Sequence, residues 1–268
     1  MIDCNTDILL YKELVEFCNC HAQEIDTNFT RNLEFNEFNI ECYKKMFYAN
    51  RRVSPPPAVK ELKKIISELP AAYKDAGRYL NPRNKYKKVY DIQLGQWYEK
   101  ALQLFFLTRG LIITKRGYPY PDLEITDENR DILGFFELKY IGAPFLTANT
   151  QIKNTYPYNS TRYDYEASLT LDTGEKLLKQ REKSLQLIEQ GFPVHYVWWF
   201  DCFHIKGIFA MSAQDVFDYY DHVGGDLHVR KEREGDKIDH QELGKIYPPL
   251  LEMITFAEYL NLIKSKEN

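Results

Sequence analysis

The chain has 268 residues, 44% of them hydrophobic and 15% aromatic, with a formal net charge of −4 at neutral pH. That apolar fraction excludes a disordered chain, and the length supports one large domain or a core with appendages. The mildly acidic balance offers no global attraction for nucleic acid, so phosphate contacts would need a local basic face.

No run of eighteen apolar residues is present, and Met1 to Asp7 carries neither a basic leader nor a hydrophobic stretch. The expectation is a soluble, cytoplasmic protein with no membrane partner. Cys4, Cys18, Cys20, Cys42 and Cys202 are an odd set scattered through the chain, which fits reduced thiols better than a disulfide framework. Cys18-Asn19-Cys20-His21 lacks a second pair at zinc-site spacing.

From the N-terminus, apolar residues at helical spacing predict helices between residues 7 and 50, with Ile8, Leu14, Val15 and Cys18 in the first and Ile40, Tyr43, Met46 and Phe47 later. Ser54-Pro55-Pro56-Pro57 breaks the pattern, and a further helix is predicted from about 58 to 79 with Val59, Leu62, Ile66 and Leu69 inward. Residues 1–80 thus read as a helical region packed on a core at 81–222. Lys44 to Lys64 and Arg83 to Lys88 are locally basic, equally compatible with solvated faces and with DNA contact.

Asp91 to Arg109 predicts a strongly apolar helix that contains Glu99 and ends at Gly110. Leu111 to Thr114 leads through Lys115 and Arg116, basic residues suited to phosphate, into two apolar-flanked runs. Tyr120 to Ile125 and Ile132 to Lys139 are predicted to pair as antiparallel strands around the polar turn Thr126 to Asp131. A turn at Glu128-Asn129-Arg130 sets Asp122 roughly opposite Glu137, with Lys139 two residues on and on the same face. Leu123, Ile125, Phe136 and Leu138 take the other face and pin the register. Two crowded carboxylates call for a cation, and magnesium, a hard ion commonly held by one or two carboxylates, is the natural one. The lysine beside them would position a water nucleophile and offset charge building on phosphorus oxygens.

Pro121-Asp122 followed by Glu137-Leu138-Lys139 resembles the PD-(D/E)xK nuclease family, which includes many type II restriction endonucleases. The resemblance implies an α/β fold, a central mixed β-sheet flanked by helices, and magnesium-dependent cleavage of phosphodiesters in double-stranded DNA. It implies that Asp122 and Glu137 bind the metal, with the Leu138 carbonyl as a further ligand, and that Lys139 activates water to leave a 5′-phosphate. Glu99 matches the acidic residue that such nucleases place on the preceding helix, though a surface glutamate fits equally well there.

The segment 140–172 is polar and aromatic, and its Lys153 and Arg162 are of the kind that contact bases and phosphates. Glu175 to Gln190 predicts an amphipathic helix closed by Gly191, and Val194 to Phe200 a buried strand. That helix-strand unit again resembles the family, which implies a place for Gln180 near the metal or the scissile phosphate. His195, inside the apolar strand, reads as a core or interface histidine. Residues 205–211 predict another strand, Ser212 caps a helix from Ala213, and 223–268 is read as a hairpin turning at Gly235-Asp236 followed by a helix. The reading is a sequence-specific type II restriction enzyme, with a homodimer expected for palindromic targets. The alternatives are a repair or recombination nuclease of the same fold and a non-catalytic DNA-binding module.

Overall fold

The computed structural model describes residues 2–53, 57, 62, 64–69, 71, 88–117, 120–142, 171–223, 225, 228–230 and 243–265. The predicted helix at 58–79, Lys153, Arg162, most of the loop 140–172 and the Gly235-Asp236 turn lie largely or wholly outside the described residues.

Strands β1 (Ile112–Lys115), β2 (Leu123–Thr126) and β3 (Ile132–Ile141) form an antiparallel meander, whose β2–β3 pairing is the one expected from the two apolar runs and to which β1 adds a third strand. β5 (Val194–Asp201) then pairs with β3 in parallel, reached through the two-residue β4 (Leu171–Asp172) and helix α5 (Glu175–Glu189). β6 (Lys206–Ser212) returns antiparallel to β5, and the two-residue β9 (Ile254–Thr255) closes the edge. The product is a mixed six-stranded sheet in the order β1-β2-β3-β5-β6-β9, the sheet class predicted from sequence. A smaller sheet joins β4, β8 (Leu243–Ile246) and β7 (His228–Arg230), with β8 antiparallel to both.

β5 is buried along its whole length, as a central strand covered on both faces must be, and its near-continuous apolar run is the signature of that burial. Alternation sends Tyr196, Trp198 and Phe200 into one core and Val197 and Trp199 into the other. The first core is covered by α3 (Glu37–Cys42), the π-helical turn that continues it to Tyr48, by α5, and by α6 (Ala213–Val223). The second is covered by α1 (Cys4–Cys20), α4 (Lys88–Leu107) and α7 (Phe256–Lys264). α2 (Ala22–Ile25) adds Ile25 to that second layer.

The terminal regions are thus built into the layers around the sheet. The buried Asp7 of α1 accepts a hydrogen bond from the Ala257 N–H at the start of α7, 2.8 Å away, which supplies an orphan helix donor with a carboxylate. Thr255 and Glu258 close a capping box on the same helix. Among the described residues no helix is long and apolar enough to cross a membrane.

Candidate active site

The β2–β3 turn is closed by Asp127, whose carboxylate accepts the Asp131 N–H at 2.8 Å while Arg130 adopts φ 70°. The first pair above it is Thr126 with Ile132, and continuing that register would place Asp122 opposite Phe136. It does not continue. Between Ile125 and Thr126 the register shifts by one, leaving Leu133 as the extra residue of a β-bulge, and the pairs become Ile125 with Gly134 and Leu123 with Phe136. Leu133 and Phe136, three apart, consequently fall in the same core, and one step further along the Leu123–Phe136 register the Asp122 backbone meets the Glu137 side chain.

Glu137 is the centre of the arrangement, at 3% exposure. Its Oε1 accepts from Lys139 Nζ at 2.5 Å and from Gln180 Nε2 at 3.1 Å, and its Oε2 accepts from the Asp122 backbone N–H at 3.2 Å. Gln180 is oriented in turn by the Tyr196 hydroxyl, which donates to its Oε1 at 2.9 Å and thereby leaves the amide N–H₂ for Glu137. Burial alone would push the Glu137 carboxyl up, but Lys139, then Lys176, and the Asp122 N–H outweigh it and hold it below the usual carboxylate range. Asp122 moves the other way: burial first, then the charge of Glu137, raise its carboxyl above its ordinary value. Of the two carboxylates, Asp122 is therefore the one whose ionisation is disfavoured.

Asp122, Glu137, Lys139 and Gln180 are brought together as expected. Arg116 lies beside them, its guanidinium 4.6 Å from the Phe135 ring and its Nη1 donating to the carbonyls of Tyr120 and Pro121, each at 3.3 Å. It thereby props the chain that delivers Asp122, where the Tyr120–Pro121 peptide is cis and Tyr120 has φ 64°, a left-handed conformation that costs a bulky residue energy. Glu99 is placed differently. It belongs to α4, whose apolar side fills the core shared by Leu123 and Phe136, the face opposite to Glu137. Its partners are Lys115 at 3.5 Å and Gln103 at 3.4 Å, and no hydrogen bond or ion pair joins it to the Asp122–Glu137–Lys139 group. Lys115 is accordingly an exposed residue at the β1 edge, engaged with Glu99.

Two residues of the cluster escaped the sequence reading. Lys176, in the first turn of α5, is partly buried and lies within electrostatic reach of Lys139, Glu137 and Asp122. Its signal was the four-residue spacing from Gln180. Tyr120 carries a phenol that burial, and then Glu137 and Asp122, push up; nothing in its sequence position marks it beyond preceding Pro121.

The donor set suits a hard divalent cation. Two carboxylates, one from the residue that precedes β2 and one from β3, the former raised by burial and then by its like-charged neighbour, form an acidic pair that a cation would relieve. Among the described residues no group of three or more His, Cys, Asp or Glu side chains converges on one point. Magnesium is commonly held by only one or two carboxylates, with water and phosphate completing its octahedron, so two carboxylates are sufficient.

No protein-family model matches the chain, and no curated protein matches it. Among solved structures it is similar to Hjc, a Holliday junction resolvase from the archaeal hyperthermophile Archaeoglobus fulgidus, with 10% identity and a TM-score of 0.32 over 62% of this chain and 95% of that one. A likeness of that size says nothing about activity or substrate.

Proposed function

We propose that this protein is a metal-dependent nuclease that hydrolyses phosphodiester bonds in DNA, with Asp122, Glu137 and Lys139 as its catalytic group. The observation that carries the reading is Glu137: a nearly buried carboxylate, kept ionised by Lys139 and bonded across the strands to the Asp122 backbone. Burying that charge costs several kcal/mol, and a binding module that never meets a cation would gain nothing from it.

Asp122 and Glu137 would hold a magnesium ion, with the Leu138 carbonyl as the third protein oxygen. Bound there, the ion supplies Lewis-acid polarisation of a phosphoryl oxygen. Lys139, on the same face of β3 as Glu137, orients the attacking water and offers its ammonium to charge that builds on the phosphorus oxygens. Gln180, fixed by Tyr196, holds Glu137 in the rotamer that keeps it beside Asp122. As water attacks phosphorus in line the 3′-oxygen departs, which leaves a 5′-phosphate. Lys115 and Arg116 at the β1 edge are proposed to steer the backbone. Glu99 is kept as an outer contributor only, because its carboxylate is engaged with Lys115.

The finer reading, a homodimeric type II restriction enzyme, and its rival, a repair or recombination nuclease, share this site and differ in the DNA selected. Supercoiled plasmid, genomic DNA and a synthetic four-way junction, each incubated with magnesium or with chelator, separate them. Discrete magnesium-dependent bands from plasmid and genomic DNA are the restriction outcome; preferential cutting of the junction is the recombination outcome. Asp122→Ala and Lys139→Ala are each expected to lower the rate by about 10²–10³-fold, the usual loss when one transition-state contact is removed. Wild-type protein that cuts none of these substrates with any divalent metal would sink the nuclease reading.

A further inference from the structure

Helix α5 turns one side towards the sheet, and on that side Leu177, Gln180 and Ser184 are buried. Lys176 stands four residues before Gln180, so both lie on one flank of the helix. Gln180 reaches 3.1 Å from Glu137 Oε1, which fixes where that flank is aimed. The Lys176 ammonium accordingly lies within the field of Lys139, Glu137 and Asp122.

Lys176 is placed against three unfavourable terms. It is partly removed from water, it shares its surroundings with a second ammonium, and it occupies the first turn of a helix, where the macrodipole disfavours cations. Gly174, at the N-cap, brings no side chain to that end, and the acidic residue of the first turn, Glu175, is exposed and lies 3.5 Å from Lys179. Lys139 has Glu137 at ion-pair distance, whereas Lys176 forms no ion pair with any described residue. The four side chains Asp122, Glu137, Lys139 and Lys176 balance in charge by themselves. A divalent ion between the carboxylates leaves the patch with two excess positive charges, the complement of consecutive phosphates on a nucleic-acid backbone.

We propose that Lys176 is a second phosphate-binding lysine of the site, contacting a non-bridging oxygen of the scissile phosphate or its neighbour on the DNA strand. Lys139 serves the reacting water, and Lys176, reaching in from the helix layer, holds the strand to which that water is delivered. The proposal rests on the nuclease reading above.

The test is the salt dependence of binding. A fluorescein-labelled DNA duplex of mixed sequence is titrated with full-length protein in calcium over a series of potassium chloride concentrations. Loss of one phosphate contact lowers the slope of log K against log salt by about 0.9, so Lys176→Gln is expected to show that decrease and Lys176→Arg to restore it. Cleavage in magnesium is expected to fall by about tenfold or more in Lys176→Gln, with thermal melting no lower than that of the wild type. Should that variant unfold, Lys176→Met, which keeps the aliphatic stem, replaces it. A wild-type slope and rate in the neutral variants, or a rate loss with an unchanged slope, overturns the phosphate role while the nuclease reading stands. Wild-type protein that neither binds nor cuts DNA overturns both.

Discussion

Asp122, just before β2, and Glu137 of β3 are the same kind of acid side by side, yet their surroundings drive them apart. Glu137 collects donors, from Lys139, Gln180 and the Asp122 N–H, which favour its ionised form; Asp122, with burial and Glu137 against it, is the member whose ionisation is disfavoured. A carboxyl whose folded pKa is raised stabilises the fold below its unfolded pKa, and that contribution is lost as pH rises through the folded value. At neutral pH without metal, ionised Asp122 is therefore a destabilising residue. Asp122→Asn is expected to raise the melting temperature in chelator at pH 7 by about 2–4 °C, the shift that ~1 kcal/mol produces in a chain of this size. The gain should vanish in acid, where Asp122 is protonated in both states, and magnesium should no longer stabilise the variant. A melting temperature that falls at pH 7 would show that Asp122 is not repelled by Glu137. The three motif residues were legible because strand alternation and one turn suffice to gather them, whereas Lys176 was one of several lysines on α5 until the sheet gave that helix an inward side.

Among the elements, the hairpin and its junction with β5 decide whether a site exists. The polar turn, the apolar alternation and the facing of Asp122 and Glu137 were all readable, but the facing is reached through the bulge at Leu133, and a two-residue period contains no information on where an extra residue is absorbed. Next to the bulge, Gly134 permits close approach to the chain that enters β5: a Cβ there would lie 2.9 Å from the Pro193 carbonyl oxygen, the same oxygen that accepts the Phe135 N–H at 2.9 Å. Gly134→Ala must push β3 away from that carbonyl. It is expected to cost about 1–3 kcal/mol in urea denaturation, the range for overpacking a close contact, and to weaken activity by displacing Glu137. An unchanged denaturation midpoint would show that the β3–β5 junction has slack.

Across the whole molecule, the residue that ties layers together is Asp201 at the end of β5. Its carboxylate accepts from Arg31 at 2.7 Å and from the Tyr98 hydroxyl at 2.7 Å, and it pairs with Lys206 of the neighbouring strand. Arg31 also lies over the rings of Tyr98 and Tyr140 and donates to the Tyr140 hydroxyl at 3.2 Å. The connector between α2 and α3 is thus fastened to α4, β3 and β5 through one buried anion. Asp201→Ala would leave two cations and a phenol without their acceptor, and a loss of about 3–5 kcal/mol is expected, as when one partner of a buried pair is removed. Urea unfolding measures it, and a loss under about 1 kcal/mol would mean that the apolar contacts of Arg31 hold the connector without the charge.

The order of residues along the chain is enough for the features that local periodicity sets: α1, α4, α5 and α6, the buried strand β5, the hairpin of β2 and β3, and the chemistry of a carboxylate pair beside a lysine. These depend on residues near one another in the chain, where 3.6- and two-residue periods and turn formers act directly. The parallel pairing of β3 with β5, the addition of β9 from the far end of the chain to the sheet edge, and the division of helices between the two faces arise only in three dimensions. Those pairings join segments far apart in sequence and are chosen by which apolar surfaces fit once the sheet exists. That division turned Lys176 and Gln180 towards Glu137 and set Glu99, as acidic as either motif carboxylate, on the layer behind them.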